Sequence, residues 1–235
     1  MRRLLPVPLF LLLLISAAAP QDRTYLISGF ERVRVDGPFE VHVTPGMTAK
    51  ARARGGRRAL EALDVHVSGS TLVVSGGSDP AAGGRDSAGA SPVVEVEVPR
   101  LRAASVNGGG ELHIAEMHMP RAEVSVNGAG TVEVADVRAE DLSATLIGTG
   151  RIALAGTAGE ARLRSNGAGS IDAQALEAGD VSIVAETTGP ITAHARYSAR
   201  VLARSLGTVA IAGPGQCRVS GPAPVSCEGG IEGQR

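Results

Sequence analysis

The sequence has no tryptophan, only two tyrosines and three phenylalanines among its 235 residues. So few flat rings argue against a surface that stacks nucleobases or sugar rings. Neither sign of charge dominates: 23 Lys and Arg stand against 24 Asp and Glu, a formal charge of −1. That balance excludes a generally basic nucleic-acid binder, which needs surplus cations to displace counterions from phosphates. It also excludes an acidic solvating tail, and a hydrophobic fraction of 43% excludes an overall disordered composition. Beyond the N-terminus no apolar run approaches the ~30 Å of a hydrocarbon core. The length fits one large domain, or one domain with a small appendage.

What the N-terminus does contain is an ordered series of export features. Met1-Arg2-Arg3 is basic, Leu9 to Ile15 is apolar, and Ser16 to Ala19 is small. This order predicts a signal peptide over 1–18, cut after Ala18 because Pro20 disfavours a cut after Ala19. No cysteine lies near that cut, so no lipid anchor is expected there. The mature chain is expected in the periplasm, at the cell surface or outside the cell, with no membrane span.

Cysteine is scarce too: Cys217 and Cys227 are the only two. In an exported chain such a pair predicts a disulfide, and no histidine beside them offers a metal site.

Glycine, by contrast, is abundant, with 31 copies, and much of it is periodic. Val106-Asn107-Gly108-Gly109-Gly110 returns as Val126-Asn127-Gly128-Ala129-Gly130, Leu146-Ile147-Gly148-Thr149-Gly150 and Ser165-Asn166-Gly167-Ala168-Gly169. Weaker copies at Thr188-Gly189-Pro190 and Leu206-Gly207-Thr208 read as lacking the second glycine. The interval is close to twenty residues, the signature of a solenoid. After each glycine, aliphatic residues alternate with polar or small ones: Leu112, Val132, Ile152, Ile171, Ile191 and Val209, and two residues later Ile114, Val134, Leu154, Ala173, Ala193 and Ile211. Period two is that of a strand with one buried face, and recurrent Gly and β-branched residues exclude a helix.

These features predict an all-β, single-stranded parallel β-helix, a β-solenoid of ~20-residue coils. Stacked copies ~4.8 Å apart would align the aliphatic residues in columns, a core that needs no aromatics. Asn107, Asn127 and Asn166 precede the repeat glycines Gly108, Gly128 and Gly167, with Gly148 in the same series. Asn and Gly both tolerate positive φ, so these residues are expected to form structural corners, with a possible asparagine amide ladder. A repeated ligand-binding corner is the alternative.

Upstream, Phe30 to Val35 and Phe39 to Val43 alternate around Asp36-Gly37-Pro38, and Arg57 to Leu63 fits one or two helical turns. Asp64-Val65-His66-Val67 and Thr71-Leu72-Val73-Val74 flank Ser68-Gly69-Ser70, a β-hairpin signal. The expected organisation is N-terminal strands or cap over 24–75, a flexible loop over 76–91, repeats over 92–215, and a disulfide loop and tail over 216–235. The N-terminal strands are expected to begin or cap the solenoid, protecting its edge.

The stretch Phe30-Glu31-Arg32-Val33-Arg34-Val35-Asp36-Gly37-Pro38-Phe39-Glu40-Val41, then Leu72-Val73-Val74, Val96-Glu97-Val98-Pro99-Arg100-Leu101 and the Asn-Gly-Ala-Gly repeats, resembles the head GIN domain family. That family is described as putative auto-transporter adhesins of bacteria. The resemblance implies a parallel β-helix at the cell envelope or surface and carries no catalytic motif. The chain shows no autotransporter barrel of its own, so self-export is not supported.

The acidic residues and histidines bear on chemical alternatives. Parallel β-helices also carry polysaccharide lyases and hydrolases that use clustered carboxylates. Counting along the repeat puts Glu116 beside Asp136 and Asp141 beside Glu160 on adjacent coils, as solvated pairs or cation holders. Gly108 to Leu112 is no calcium nonapeptide, because Leu112 fills the Asp position. No glycine corner continues as a phosphate loop and no nucleophile elbow is visible. His42, His66, His113, His118 and His194 are scattered; His113 and His118 share a coil without a third ligand and read as surface residues. No catalytic residue, cofactor or metal is therefore expected. The expected function is an exported, non-enzymatic solenoid that binds an unidentified envelope or surface partner, protein or polysaccharide, or serves a structural role there; nucleic acid is excluded. The alternative is a carbohydrate-active β-helix enzyme, by fold analogy alone.

Overall fold

The computed structural model describes residues 21–27, 29–76 and 92–232. The expected signal peptide, and the expected 76–91 loop apart from Gly76, lie outside them.

Alternation sets the first elements. After β1 (Gln21–Tyr25), the strands β2 (Arg32–Asp36) and β3 (Glu40–Pro45) bury Val33, Val35, Val41 and Val43 while their polar neighbours face outward. There follow β4 (Lys50–Gly55), the short helix α1 (Arg57–Glu61), and β5 (Leu63–Ser68). The strand β6 (Thr71–Gly76) pairs antiparallel with β5, Ser68 opposite Thr71, with Gly69 between them at φ +61°. The expected hairpin forms. Then come β7 (Val93–Val98), β8 (Ala103–Gly108), β9 (Glu111–Ile114), β10 (Met117–His118) and β11 (Arg121–Gly128).

Next the strands lengthen to whole coils: β12 (Thr131–Gly148), β13 (Arg151–Gly167), β14 (Ser170–Thr187) and β15 (Ile191–Ala203). The chain ends in β16 (Val209–Ala212), β17 (Gln216–Ser220), β18 (Val225–Cys227) and β19 (Ile231–Glu232). The fold is an all-β parallel solenoid. Its parallel stack is wider than the repeats: β2, β3 and β6 extend it at one end, and β17 to β19 at the other.

Within β12 the inward phase resets twice. Val132 and Val134 are buried, then Ala135 and Asp136 both face out; Val137 is buried, then Glu140 and Asp141 face out; Leu142, Ala144 and Leu146 are buried again. A phase reset in a strand is a bend, so each coil has three walls joined by the glycine corner and two such bends. Val132 pairs with Ile152, and the row Val41, Leu112, Val132, Ile152, Ile171, Ile191, Val209 runs through the first wall with every member at most 1% exposed. Each fully buried Leu, Ile or Val contributes ~1.5–3 kcal/mol, and the rows make neighbouring rungs mutually dependent.

Rung order departs from chain order at the N-terminal end. The β2–β3 rung lies between the later rungs β6–β7 and β8–β9, parallel to both. The outer edge of β6–β7 is then covered by antiparallel strands: β5 on β6, β4 on β7, and β1 on β4. A parallel stack would otherwise end in unpaired N–H and C=O groups that invite edge-to-edge association. Among the described residues, no helix is long and apolar enough to cross a membrane.

Candidate functional site

The corners show how the repeat is built. Gly108, Gly128, Gly148 and Gly167 take φ of +98° to +125°, and among the described residues every one with positive φ is a glycine. The asparagines are thus ordinary extended strand residues, which corrects the expectation that they share the left-handed turn. Their side chains point outward: Asn107 Nδ2 donates to Asp36 Oδ1 at 2.7 Å and Asn166 Nδ2 to Glu186 Oε2 at 3.2 Å. Ile147 interrupts the row between Asn127 and Asn166, so no continuous amide ladder forms.

The second glycine of each repeat is required for room. A Cβ on Gly130 would lie 2.7 Å from the Gly110 carbonyl oxygen, and Gly150 and Gly169 face the same obstacle one rung along. Register also corrects the reading of the last two copies. Ile171 pairs with Ile191 and Ile191 with Val209, so Gly189 and Gly207 continue the second glycine. Thr187 stands where the first would be, and its buried hydroxyl donates to Gly169 O and accepts from Gly189 N.

Cys217 and Cys227 form a disulfide with Cα atoms 6.4 Å apart. Cys217 continues the third-wall row of Val181 and Ala199; Cys227 continues the first-wall row of Ala193 and Ile211.

The two acidic pairs are adjacent, but basic side chains of the chain already contact them. His118 lies between Glu116 and Asp136, with Nδ1 3.7 Å from Glu116 Oε2 and Nε2 2.9 Å from Asp136 Oδ2. The His118 hydrogen bond, against slight desolvation and aided by Arg138, holds the Asp136 carboxyl below its ordinary 3.8. Asp141 and Glu160 pair in register, and Arg162 bridges them, 3.3 Å from Asp141 Oδ1.

Beside that bridge the third wall carries a depression of about 440 Å³, lined by Arg32, Arg102, Arg121, Glu123, Asp141, Ser143 and Arg162. Four guanidinium groups face two carboxylates there. Arg121 and Arg162 share Asp141, whereas among the described residues Arg32 and Arg102 make no ion pair. Arg102 Nε is buried and, among the described residues, has no hydrogen-bond partner. Sequence reading missed this group because its members come from strands and turns far apart in the chain.

It also missed a meeting on the first wall. Glu40-Val41-His42-Val43 and Glu111-Leu112-His113-Ile114 are parallel neighbours, so His42 and His113 stack, with ring centroids 5.0 Å apart. The Glu-aliphatic-His-aliphatic pattern, present twice, was the available signal.

A family model described as "Putative auto-transporter adhesin, head GIN domain" matches residues 29–215. Among solved structures, the chain is similar to a putative adhesin from Bacteroides fragilis NCTC 9343, with 22% identity and a TM-score of 0.76 over 92% of this chain and 97% of that one. A putative adhesin from Parabacteroides distasonis ATCC 8503 aligns with 12% identity and a TM-score of 0.62 over 91% and 96%. A putative lipid binding protein from the same strain aligns with 18% identity and a TM-score of 0.57 over 90% and 93%. No curated protein sequence matches. The structural likenesses bear on the fold, whereas the family match takes in the N-terminal rung and the repeats up to Gly215: this chain belongs to the head GIN domain family.

Proposed function

We propose that this chain is an exported, non-enzymatic adhesin that binds an acidic polysaccharide of the cell envelope or surface through the arginine-lined depression of its third wall. The observation that carries the reading is the excess of guanidinium groups there, four against two carboxylates, with Arg32 and Arg102 in no ion pair among the described residues. Planar guanidinium groups match carboxylate and sulfate oxygens bidentately, so charge can do the recognition that scarce aromatic rings cannot. Family membership and the N-terminal export features support the surface location. The enzyme reading has less behind it, since the paired carboxylates Glu116/Asp136 and Asp141/Glu160 are held by His118, Arg138 and Arg162.

A glycan array with purified protein, combined with a reducing-sugar assay, tests this. Binding to uronic-acid or sulfated polymers over neutral ones, without turnover, is expected. Binding should weaken about tenfold or more in Arg32→Ala/Arg102→Ala, as loss of charge-assisted bonds implies. Equal binding to neutral glycans would dismiss the charge argument, and turnover would restore the enzyme reading.

A further inference from the structure

We propose that Glu40, His42 and His113 form a binding site for a first-row transition-metal dication of the zinc type, clasping β3 to β9. The site is independent of the adhesin reading. One ligand atom from each of the three residues lies within 4.8 Å of the others. Bonds of ~2.0–2.1 Å in a tetrahedral site place ligand atoms about 3.3–3.5 Å apart, so small side-chain rotations close the set.

Strand register does the positioning. Glu40 is opposite Glu111 and His42 opposite His113 on adjacent parallel rungs, so both imidazoles leave the sheet on the same side. The rings stack with an interplanar angle of 26°. His42 Nε2 already meets Glu40 Oε1 at 2.7 Å, and these are the two atoms that would turn to the ion. His113 is oriented from its other side: Glu133 Oε2 lies 3.2 Å from Nδ1, the carboxylate–histidine arrangement that fixes a ligating ring. That leaves Nε2 for the metal, with Glu111 Oε2 3.8 Å from it as a fourth donor.

The donor set selects the ion. Two imidazoles with one or two carboxylates suit zinc and its neighbours, whereas calcium takes six to eight oxygens. All three residues are half-buried, so an ion reaches them from solvent. The cluster around His118 is a different case: it has one imidazole, and Arg138 Nη2 lies 3.0 Å from Asp136.

The test is calorimetric titration of ZnCl2 into the chelator-treated protein, prepared without a polyhistidine tag, with Co²⁺ substitution as a spectroscopic check. One equivalent of zinc is expected to bind, with calcium giving no heat, and Co²⁺ to show tetrahedral d–d absorption. His42→Ala and His113→Ala should each weaken zinc binding at least tenfold, and Glu133→Gln about tenfold through loss of ring orientation. His118→Ala should leave it unchanged. Absence of zinc binding to the unmodified protein overturns the proposal, and so does binding that survives both histidine substitutions in variants with unchanged circular dichroism.

Discussion

Cys217 and Cys227 join the third and first walls at the C-terminal end of the solenoid, Cys217 over Ala199 and Cys227 over Ile211. The bond thus crosses the aliphatic interior near its C-terminal end, where only β19 adds a further strand, on the β17 side. It also ties β17 to β18 at the edge most prone to fray.

Replacing both cysteines by serine should lower stability by ~2–3 kcal/mol, the chain-entropy value for so short a loop. Urea unfolding of the oxidised protein and of the double variant measures it. A midpoint that does not move would mean the last coil unfolds apart from the rest.

Glycine corners divide into strained and unstrained sites. Gly148 has φ +117° and a Cβ there would strike the Gly128 carbonyl, whereas Gly109 has nothing within 4 Å and no positive φ. Gly148→Ala should cost at least ~2 kcal/mol, while Gly109→Ala should be neutral. Thermal melts of the two variants side by side give the comparison, and equal losses would refute it.

Ser165 sits in the buried row between Leu146 and Ala185, and among the described residues its hydroxyl is without a partner. Removing an unsatisfied buried hydroxyl should help, so Ser165→Ala is expected to stabilise by roughly 1 kcal/mol. Leu146→Ala in the same row should destabilise by ~2–5 kcal/mol. Denaturant midpoints of both should move in opposite directions.

Asp136 supplies a pH dependence. Its carboxyl titrates below the ordinary 3.8 in the folded state, chiefly through His118, so the unfolded chain binds the proton more readily. The stabilisation is present above pH 3.8 and is lost as pH falls through the lower folded value. The group is about a third exposed, at 34%, so the effect is small and screened by salt. Comparing the acid limb of unfolding in Asp136→Asn and the parent checks it: the variant should lose less stability on acidification below pH 3.8.

Much of the architecture was legible in the sequence because inward aliphatic residues and corner glycines recur at one period. Val132 and Ile152 could be matched by counting alone, and they pair. Counting failed where a coil changes its corner: Gly189 was aligned with Gly167, yet the interior row at Ile191 sets it beside Gly169, with Thr187 supplying the first position. Adjacent acidic pairs were also legible, but not the Arg162 and His118 side chains that reach between them. The His42–His113 stack and the arginine depression escape the twenty-residue count for a different reason. Both depend on β2 and β3 lying against β8 and β9, a neighbourhood that no period reveals.

That same neighbourhood governs how the molecule can be assembled and cut. The segment that emerges early in synthesis acquires partners on its two sides only after Val93 to Ile114 has followed it, so winding cannot simply advance from the front. Deleting Arg32 to Pro45 would open a gap inside the column, one rung from its end, whereas trimming β18 and β19 shortens it from the other end and removes the disulfide.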